Sequence, residues 1–421
     1  MKRFLLLFGL LAIALGGGSW WMLRRQPSRA PLDGPDSAFT MEASGPGRLI
    51  KYQDVQTPLR AFRWLPPLPG GVLAAQVLSQ NDRQRVALFR DGPAQDLLLV
   101  LKPVGVSDGF WRFAELAQAA LVPGGTLILL YRQGDPSGQD AALALALDVA
   151  SQQVRWFCRG DFARLAVTPG AEAVYLYGGK GPIQRVALGP AGAAHPTPTA
   201  IDLPPEIQRL DDLLPTGPAS FLASHRDGLS AYRAKDGWAH FAVPAEPAVG
   251  CQDFRSSLLR DGKDIWWQPV PGRLVQVRAD GSPKKAWQGA LPAQDPLARD
   301  AQLLRALGAD PGGSIWFALA TPAPAAPPAD PAQPGEDWGA YAAAGLDRLY
   351  RWDPAKGTLD RASWPRAWAA LNPPPVVQAP PAQALIPATG TLLAQGTRCA
   401  WWLPLQALTL ERVPQAPSQP M

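Results

Sequence analysis

The chain has 421 residues, 47% of them apolar and only 18% charged, with 47 prolines and 40 glycines. That apolar share supports a large core. The Pro and Gly content argues against long helices, because Pro removes a helix hydrogen bond and Gly costs backbone entropy. The formal charge of +5 belongs to one end: Lys2, Arg3, Arg24, Arg25 and Arg29 precede the first acid, Asp33, and setting those five aside leaves 35 of the 40 basic residues against 35 acidic ones. A neutral body has no field with which to track phosphates, which argues against nucleic-acid binding.

Phe4 to Leu23 is an uncharged, mostly apolar run preceded by Lys2 and Arg3 and followed by Arg24 and Arg25. As a helix it spans about 30 Å, the thickness of the hydrocarbon core, with Trp20 and Trp21 near one interface. The alternative is a cleaved signal peptide with Ala12-Ile13-Ala14 as its small-x-small site. That cleavage would leave Trp20 to Leu23 near a free terminus, so an uncleaved anchor is favoured. Flanking charges do not decide the orientation. The short leading tail favours a cytoplasmic N-terminus with the bulk of the chain on the periplasmic or extracellular side of the inner membrane. Residues 1–25 are thus read as anchor or signal sequence. The Pro-, Gly- and Ser-containing stretch 26–47 is read as a flexible stalk, and 413–421 as a disordered tail.

Between them, 48–412 carry a repeat in which a Gly-containing turn is followed by an apolar strand, a loop and a second strand. In chain order the turns fall at Gly70, Gly124, Gly170, Gly217, Gly262, Gly312 and Gly390. The paired strands that follow include Val72–Ala75 with Arg85–Phe89, Thr126–Leu130 with Ala144–Asp148, and Ile265–Trp267 with Arg273–Val277. The last turn leads to Thr391–Leu393 and Ala400–Leu403. An upstream strand recurs as Phe113–Leu116, Phe162–Leu165 and Ile207–Leu210. Most turns lie about 45–55 residues apart, the length of a four-stranded blade. The long last interval holds a Pro/Ala-rich insertion, Thr321 to Glu336. The expectation is an all-β chain: a β-propeller of about seven four-stranded blades, six to eight being compatible, after one N-terminal transmembrane helix. The segment Leu49–Phe62 is available to close the ring with a degenerate seventh blade. Blades pack face to face, so paired aromatics such as Trp266-Trp267 and Trp401-Trp402 are expected in the core.

Ala144–Asp148 with Val154-Arg155-Trp156, and Leu349–Pro354 with Lys356-Gly357-Thr358, resemble the strand-turn-strand of PQQ-like propeller repeats. The resemblance implies a propeller hairpin and does not extend to a quinone site. No cofactor is expected. The Gly-His and Trp-Asp marks of WD40 blades do not recur.

Candidate chemistry is sparse. His225 and His240 fall in the fourth repeat and are the candidate acid/base pair, with His195 in a Pro/Ala loop. Asp211-Asp212 and Asp261 with Asp264 are the acid pairs to weigh for chemistry, and they are read as turn residues, because Asp side chains hydrogen-bond nearby backbone groups. Cys158, Cys251 and Cys399 have no metal-ligand spacing and read as buried thiols. No P-loop, Gly-x-Ser-x-Gly or His-Glu-x-x-His is present. The expected function is a tethered, non-catalytic scaffold for an envelope protein or an exposed polymer. The alternatives are a propeller lyase or lactonase using the axial funnel, and a soluble periplasmic protein after signal cleavage.

Overall fold

The computed structural model describes residues 39–44, 47–52, 59–68, 72–79, 84–89, 95–99, 114–133, 141–151, 153–178, 181–188, 197–241, 256–262, 264–269, 273–288, 304–319, 349–363, 391–395 and 399–413. The apolar run Phe4–Leu23, His195, Cys251 and the Thr321–Glu336 insertion lie outside them.

Among the described residues the chain is built from β-strands, apart from a 3-10 turn at Leu405–Ala407. After β1 (Phe39–Ser44) and β2 (Gly47–Tyr52) come five four-stranded antiparallel meanders paired in chain order. The first holds β3 (Leu59–Leu68), β4 (Val72–Ser79), β5 (Gln84–Phe89) and β6 (Gln95–Leu99). The second holds β7 (Ala114–Val122), β8 (Thr126–Gln133), β9 (Ala141–Asp148) and β10 (Val154–Gly160), and the third β11 (Phe162–Val167), β12 (Ala173–Gly178), β13 (Ile183–Ala187) and β14 (Thr199–Ile201). The fourth is β15 (Leu210–Gly217), β16 (Ser220–His225), β17 (Gly228–Arg233) and β18 (Gly237–Phe241), and the fifth β19 (Ser257–Asp261), β20 (Asp264–Gln268), β21 (Arg273–Val277) and β22 (Pro283–Gln288). A sixth sheet contains β23 (Leu304–Ala309), β24 (Ile315–Leu319), β25 (Leu349–Asp353) and β26 (Thr358–Ser363). The seventh starts from β27 (Thr391–Gln395) and β28 (Cys399–Pro404).

The first strands of successive sheets, β3, β7, β11, β15, β19 and β23, touch one another in that order. They are therefore the inner strands of a ring of blades, and the fold is a β-propeller. Its ends meet in the seventh blade, ordered β27-β28-β2-β1, where Arg48–Lys51 of β2 pair antiparallel with Trp402–Cys399 of β28. The chain then returns to the sixth blade, where β29 (Thr409–Arg412) adds a fifth strand to β26. Arg412 reaches the buried Asp360 at 2.6 Å there.

Three sequence readings shift. β1 lies inside the stretch read as a stalk, so sheet structure begins ahead of residue 48. Leu49–Phe62 does not close the ring as one piece: Leu49 to Tyr52 belong to β2 of the seventh blade, and Leu59 to Phe62 open β3 of the first. Gly390 precedes the inner strand of its blade, whereas the other turn glycines precede a second strand. Both follow from the strand exchange, which splits one blade between the chain ends and displaces the repeat frame there. The two segments that resemble PQQ-like repeats are the outer hairpins β9–β10 and β25–β26.

Middle strands are buried on both faces. Trp266 packs with Leu274, Phe317, Tyr350 and Trp352 between blades five and six. Its neighbour Trp267, 1% exposed, packs with Leu222, Leu229 and Val275 between blades four and five. Successive strand residues face opposite sides, so the adjacent indoles serve two different seams.

The inner strands share a second feature. β3, β7, β11, β15 and β23 each carry a register shift near the start, between Leu59/Ala61, Leu116/Gln118, Phe162/Arg164, Leu210/Asp212 and Ala306/Gly308. The bulge makes Phe162 the counterpart of Leu116 and Leu210. The sequence pattern had matched Leu165 with them; the extra residue breaks the period of two that such matching relies on.

The strand exchange makes a direct prediction. A chain beginning at Ala38 should keep the thermal transition of the full chain. One beginning at Leu59 lacks β1 and β2, and its transition should fall by roughly 10 °C or lose cooperativity in calorimetry.

Candidate functional site

The bulges aim polar side chains from one inner strand to the next. Gln118 Oε1 accepts the Leu165 amide of blade three at 2.6 Å. Arg164 Nη1 donates to the Asp211 carbonyl of blade four at 2.5 Å. Asp212 Oδ2 accepts the Leu258 amide of blade five at 2.9 Å, and Asp211 Oδ2 accepts from the Ser256 amide and hydroxyl at 3.2 and 3.0 Å. Without a bulge, Gln268 Oε1 at the end of the second strand β20 accepts the Ala306 amide of blade six at 2.9 Å.

Asp212 is the centre of this set. Its Oδ1 accepts from Tyr177 Oη of blade three and from the Leu213 amide, both at 3.0 Å, with Arg164 Nη1 at 3.8 Å. Burial pushes its carboxyl up from the ordinary range, and Arg164 and the two amides oppose that push. Asp211 and Asp212 had been read as turn residues. They sit on an inner strand and pin three blades together.

His225 and His240 do come together. His225 ends β16, Ser230 lies on β17 and His240 on β18. Ser230 Oγ bridges them, 2.9 Å from His225 Nε2 and 3.1 Å from His240 Nδ1, and the ring centroids are 5.3 Å apart. His225 is buried, Ser230 is 1% exposed and His240 faces solvent. His225 Nδ1 is buried without a partner. This assigns the protons: an N–H at Nδ1 would be an orphan donor, so His225 carries its proton on Nε2 and donates to Ser230. Ser230 then donates to His240 Nδ1. Burial lowers the His225 pKa below its ordinary value and His240 lowers it further, while Asp227 and Asp211 act the other way.

Chemically the line is an off-axis relay. None of its members is on the inner strand β15, and Ser230 is too enclosed to attack a bulky substrate. Asp261 and Asp264 face each other across the β19–β20 hairpin, where Gly262 adopts φ 51°. Burial, Asp264 and Asp310 raise the Asp261 pKa. Among the described residues no three His, Cys, Asp or Glu side chains form a metal-binding group. Cys158 is a free buried thiol whose pKa burial raises.

A second feature had no sequence signal. An apolar groove of about 460 Å3 runs between β7 and β11, lined by Ala119, Leu121, Pro123, Val167, Pro169 and Ala171 among others. Its rim is a rigid turn: Thr168 Oγ1 donates to Glu172 Oε2 at 2.7 Å and accepts the Glu172 and Ala173 amides at 2.9 and 3.0 Å. Ala171 has φ 56°, the one positive value at a non-glycine among the described residues, at a cost of about 1–2 kcal/mol.

No protein-family model matches the chain, and no curated protein matches it in sequence. Several solved structures are similar in shape. A chain of a mitotic checkpoint complex aligns over 86% of this chain and 96% of its own, with 10% identity and a TM-score of 0.45. Saccharomyces cerevisiae Sqt1 aligns over 60% and 71%, with 14% identity and a TM-score of 0.37. The Cps50 (Swd1) β-propeller domain of Myceliophteria thermophila aligns over 60% and 80%, with 11% identity and a TM-score of 0.34. The propeller assignment stands on the strand topology described above.

Two predictions follow from the polar groups. Asp212→Ala leaves Tyr177 Oη and the Leu258 amide unpaired and should cost about 2–3 kcal/mol in denaturant unfolding. His225 has a folded pKa below its unfolded value of about 6.5, so the unfolded chain binds the proton more readily. Its contribution is fully present above about pH 6.5 and is lost as pH falls towards the folded pKa. The full chain should lose stability from pH 7 to 5, and His225→Gln should show a shallower slope in the same titration.

Proposed function

We propose that this propeller is a non-catalytic scaffold, tethered by its N-terminal segment outside the cytoplasm, that docks a segment of another envelope protein. The observation that carries this reading is the groove between β7 and β11. Its lining of Ala, Leu, Val and Pro side chains suits an apolar peptide segment better than a polysaccharide, which needs converging hydroxyl and carboxylate partners. The strained Ala171 on its wall adds support, because backbone strain collects where a surface is held for binding. The tether rests on the apolar run Phe4–Leu23, whose length suits a bilayer.

The polar groups agree with a scaffold. The best-placed carboxylates, Asp211 and Asp212, are committed to bonds between blades. A lyase working in the axial funnel needs its acid and base on inner strands. His225 and His240 are on the second and fourth strands of their blade, so that alternative has no residue to favour it.

A photo-crosslinking residue placed at Pro123 or Pro169 in the full chain, in intact cells, tests the reading. One discrete protein adduct should appear in the membrane fraction, disappear with Val167→Asp, and be absent when the probe is placed at Lys235. Equal labelling from Lys235, or an adduct indifferent to Val167→Asp, would refute groove docking.

A further inference from the structure

We propose that His225, Ser230 and His240 form a proton-operated clasp on the blade-three side of blade four, holding the outer strand β18 in place at neutral pH and releasing it in mild acid. The clasp is independent of what the groove binds.

The register sets it up. Phe221 pairs with Tyr232, and Tyr232 with Trp238; one step along, Ala223 pairs with Ser230, and Ser230 with His240. The first row is aromatic, with Trp238 5.4 Å from Phe221 and 5.3 Å from Tyr232 by ring centroid, and its indole donates to the Asp202 carbonyl at 3.0 Å. Phe221 also meets Tyr175 of blade three edge-on at 5.1 Å. The second row runs methyl, hydroxyl and imidazole, and His225, which pairs with Gly228, reaches Ser230 from the next row. β18 is otherwise shallow: Gly237, Ala239 and His240 are exposed, with Trp238 and Phe241 half-buried. Beyond its ladder to β17 and the packing of Phe241 on the blade-five side, its hold on the blade-three seam comes from the aromatic row and from the Ser230–His240 bond.

The orphan His225 Nδ1 favours one proton arrangement. His225 Nε2 donates to Ser230, whose hydroxyl donates to His240 Nδ1. A proton added to the exposed ring lands on Nδ1, the nitrogen that accepts from Ser230. Acceptor becomes donor, and the Ser230 hydroxyl loses the acceptor it has in the neutral state. A proton on His225 instead places a second N–H at its orphan Nδ1. Either step puts a positive ring beside the other. The facing charges do not cancel this. Asp211 on β15 is engaged by Ser256. Asp212 is engaged by Arg164 and Tyr177 of blade three. Asp227 lies in the β16–β17 turn, and Asp202, at the end of β14, is exposed. Opening is local because β18 is an edge strand, and edge strands open at lower free energy than the sheet they flank.

Hydrogen exchange on the full chain at pH 7.5 and 5.5, corrected for intrinsic rates, tests the clasp. Amides of Gly237–Phe241 should lose about tenfold in protection, while β20 and β24 hold theirs. His240→Gln keeps an acceptor for Ser230 and removes one titrating ring, so its loss of protection in acid should be smaller, and the double variant His225→Gln/His240→Gln should be protected equally at both pH values. Ser230→Ala should be poorly protected at both. Equal loss in the outer strands of other blades, or a His225→Gln/His240→Gln chain that opens in acid as far as the full chain, would overturn the proposal.

Discussion

Each blade of this protein is a thin sheet with two apolar faces, and that constraint governs the rest. A four-stranded meander such as β11–β14 buries one face, through Tyr175 and Tyr177, against blade four, and the other, through Val174 and Leu176, against blade two. No single blade can satisfy both faces in water, so the sheets must follow one another around a ring, and the ring must close. Closure here is a hydrogen-bonded exchange: the first strands of the chain complete the last blade, and the last strand of the chain, β29, goes back to lengthen the sixth. The first and last of the described strands are thereby built into sheets, and each exchange converts an open edge into a ladder.

Apolar burial does not by itself set how far each blade turns relative to the next. That task falls to the polar residues at the inner strands. A bulge near the start of the strand breaks the in-out alternation and sends the following side chain sideways, where Gln118, Arg164 and Asp212 meet backbone groups of the next blade. Such bonds are directional and enclosed, so they select one orientation where packing tolerates several. Chemistry-bearing residues are thereby spent on geometry. Among the described residues, what this leaves outside the joints includes the groove beside β7 and β11 and the polar line that ends in solvent at His240.

Much of the strand pattern could be read in advance. The turn glycines, the strands Val72–Ala75, Thr126–Leu130, Ile265–Trp267 and their partners, and the core role of Trp266-Trp267 follow from local chemistry: glycine turns, period-two alternation and aromatic pairs too apolar for a surface. The approach of His225 to His240 was also within reach, because both fall in one repeat on adjacent hairpins. Ser230 between them was missed, since a serine in an apolar strand carries no pattern of its own. Asp211 and Asp212 were misread for a related reason. Two adjacent acids look like a turn in a linear sequence, and only partners 35 and 46 residues away, Tyr177 and Leu258, make them a joint between blades.

The sequence by itself determined that the body is neutral, that it is all-β, and that it repeats in blade-sized units, because these depend on composition and on contacts between near neighbours. The tertiary structure alone decided that β1 and β2 belong to the last blade, that β29 belongs to the sixth, that five of the inner strands are bulged, and that a groove opens between blades two and three. Those features arise where distant segments meet. Their energy lies in ladders and seams between sheets, and a linear pattern records which residues are apolar without recording which sheet they will face.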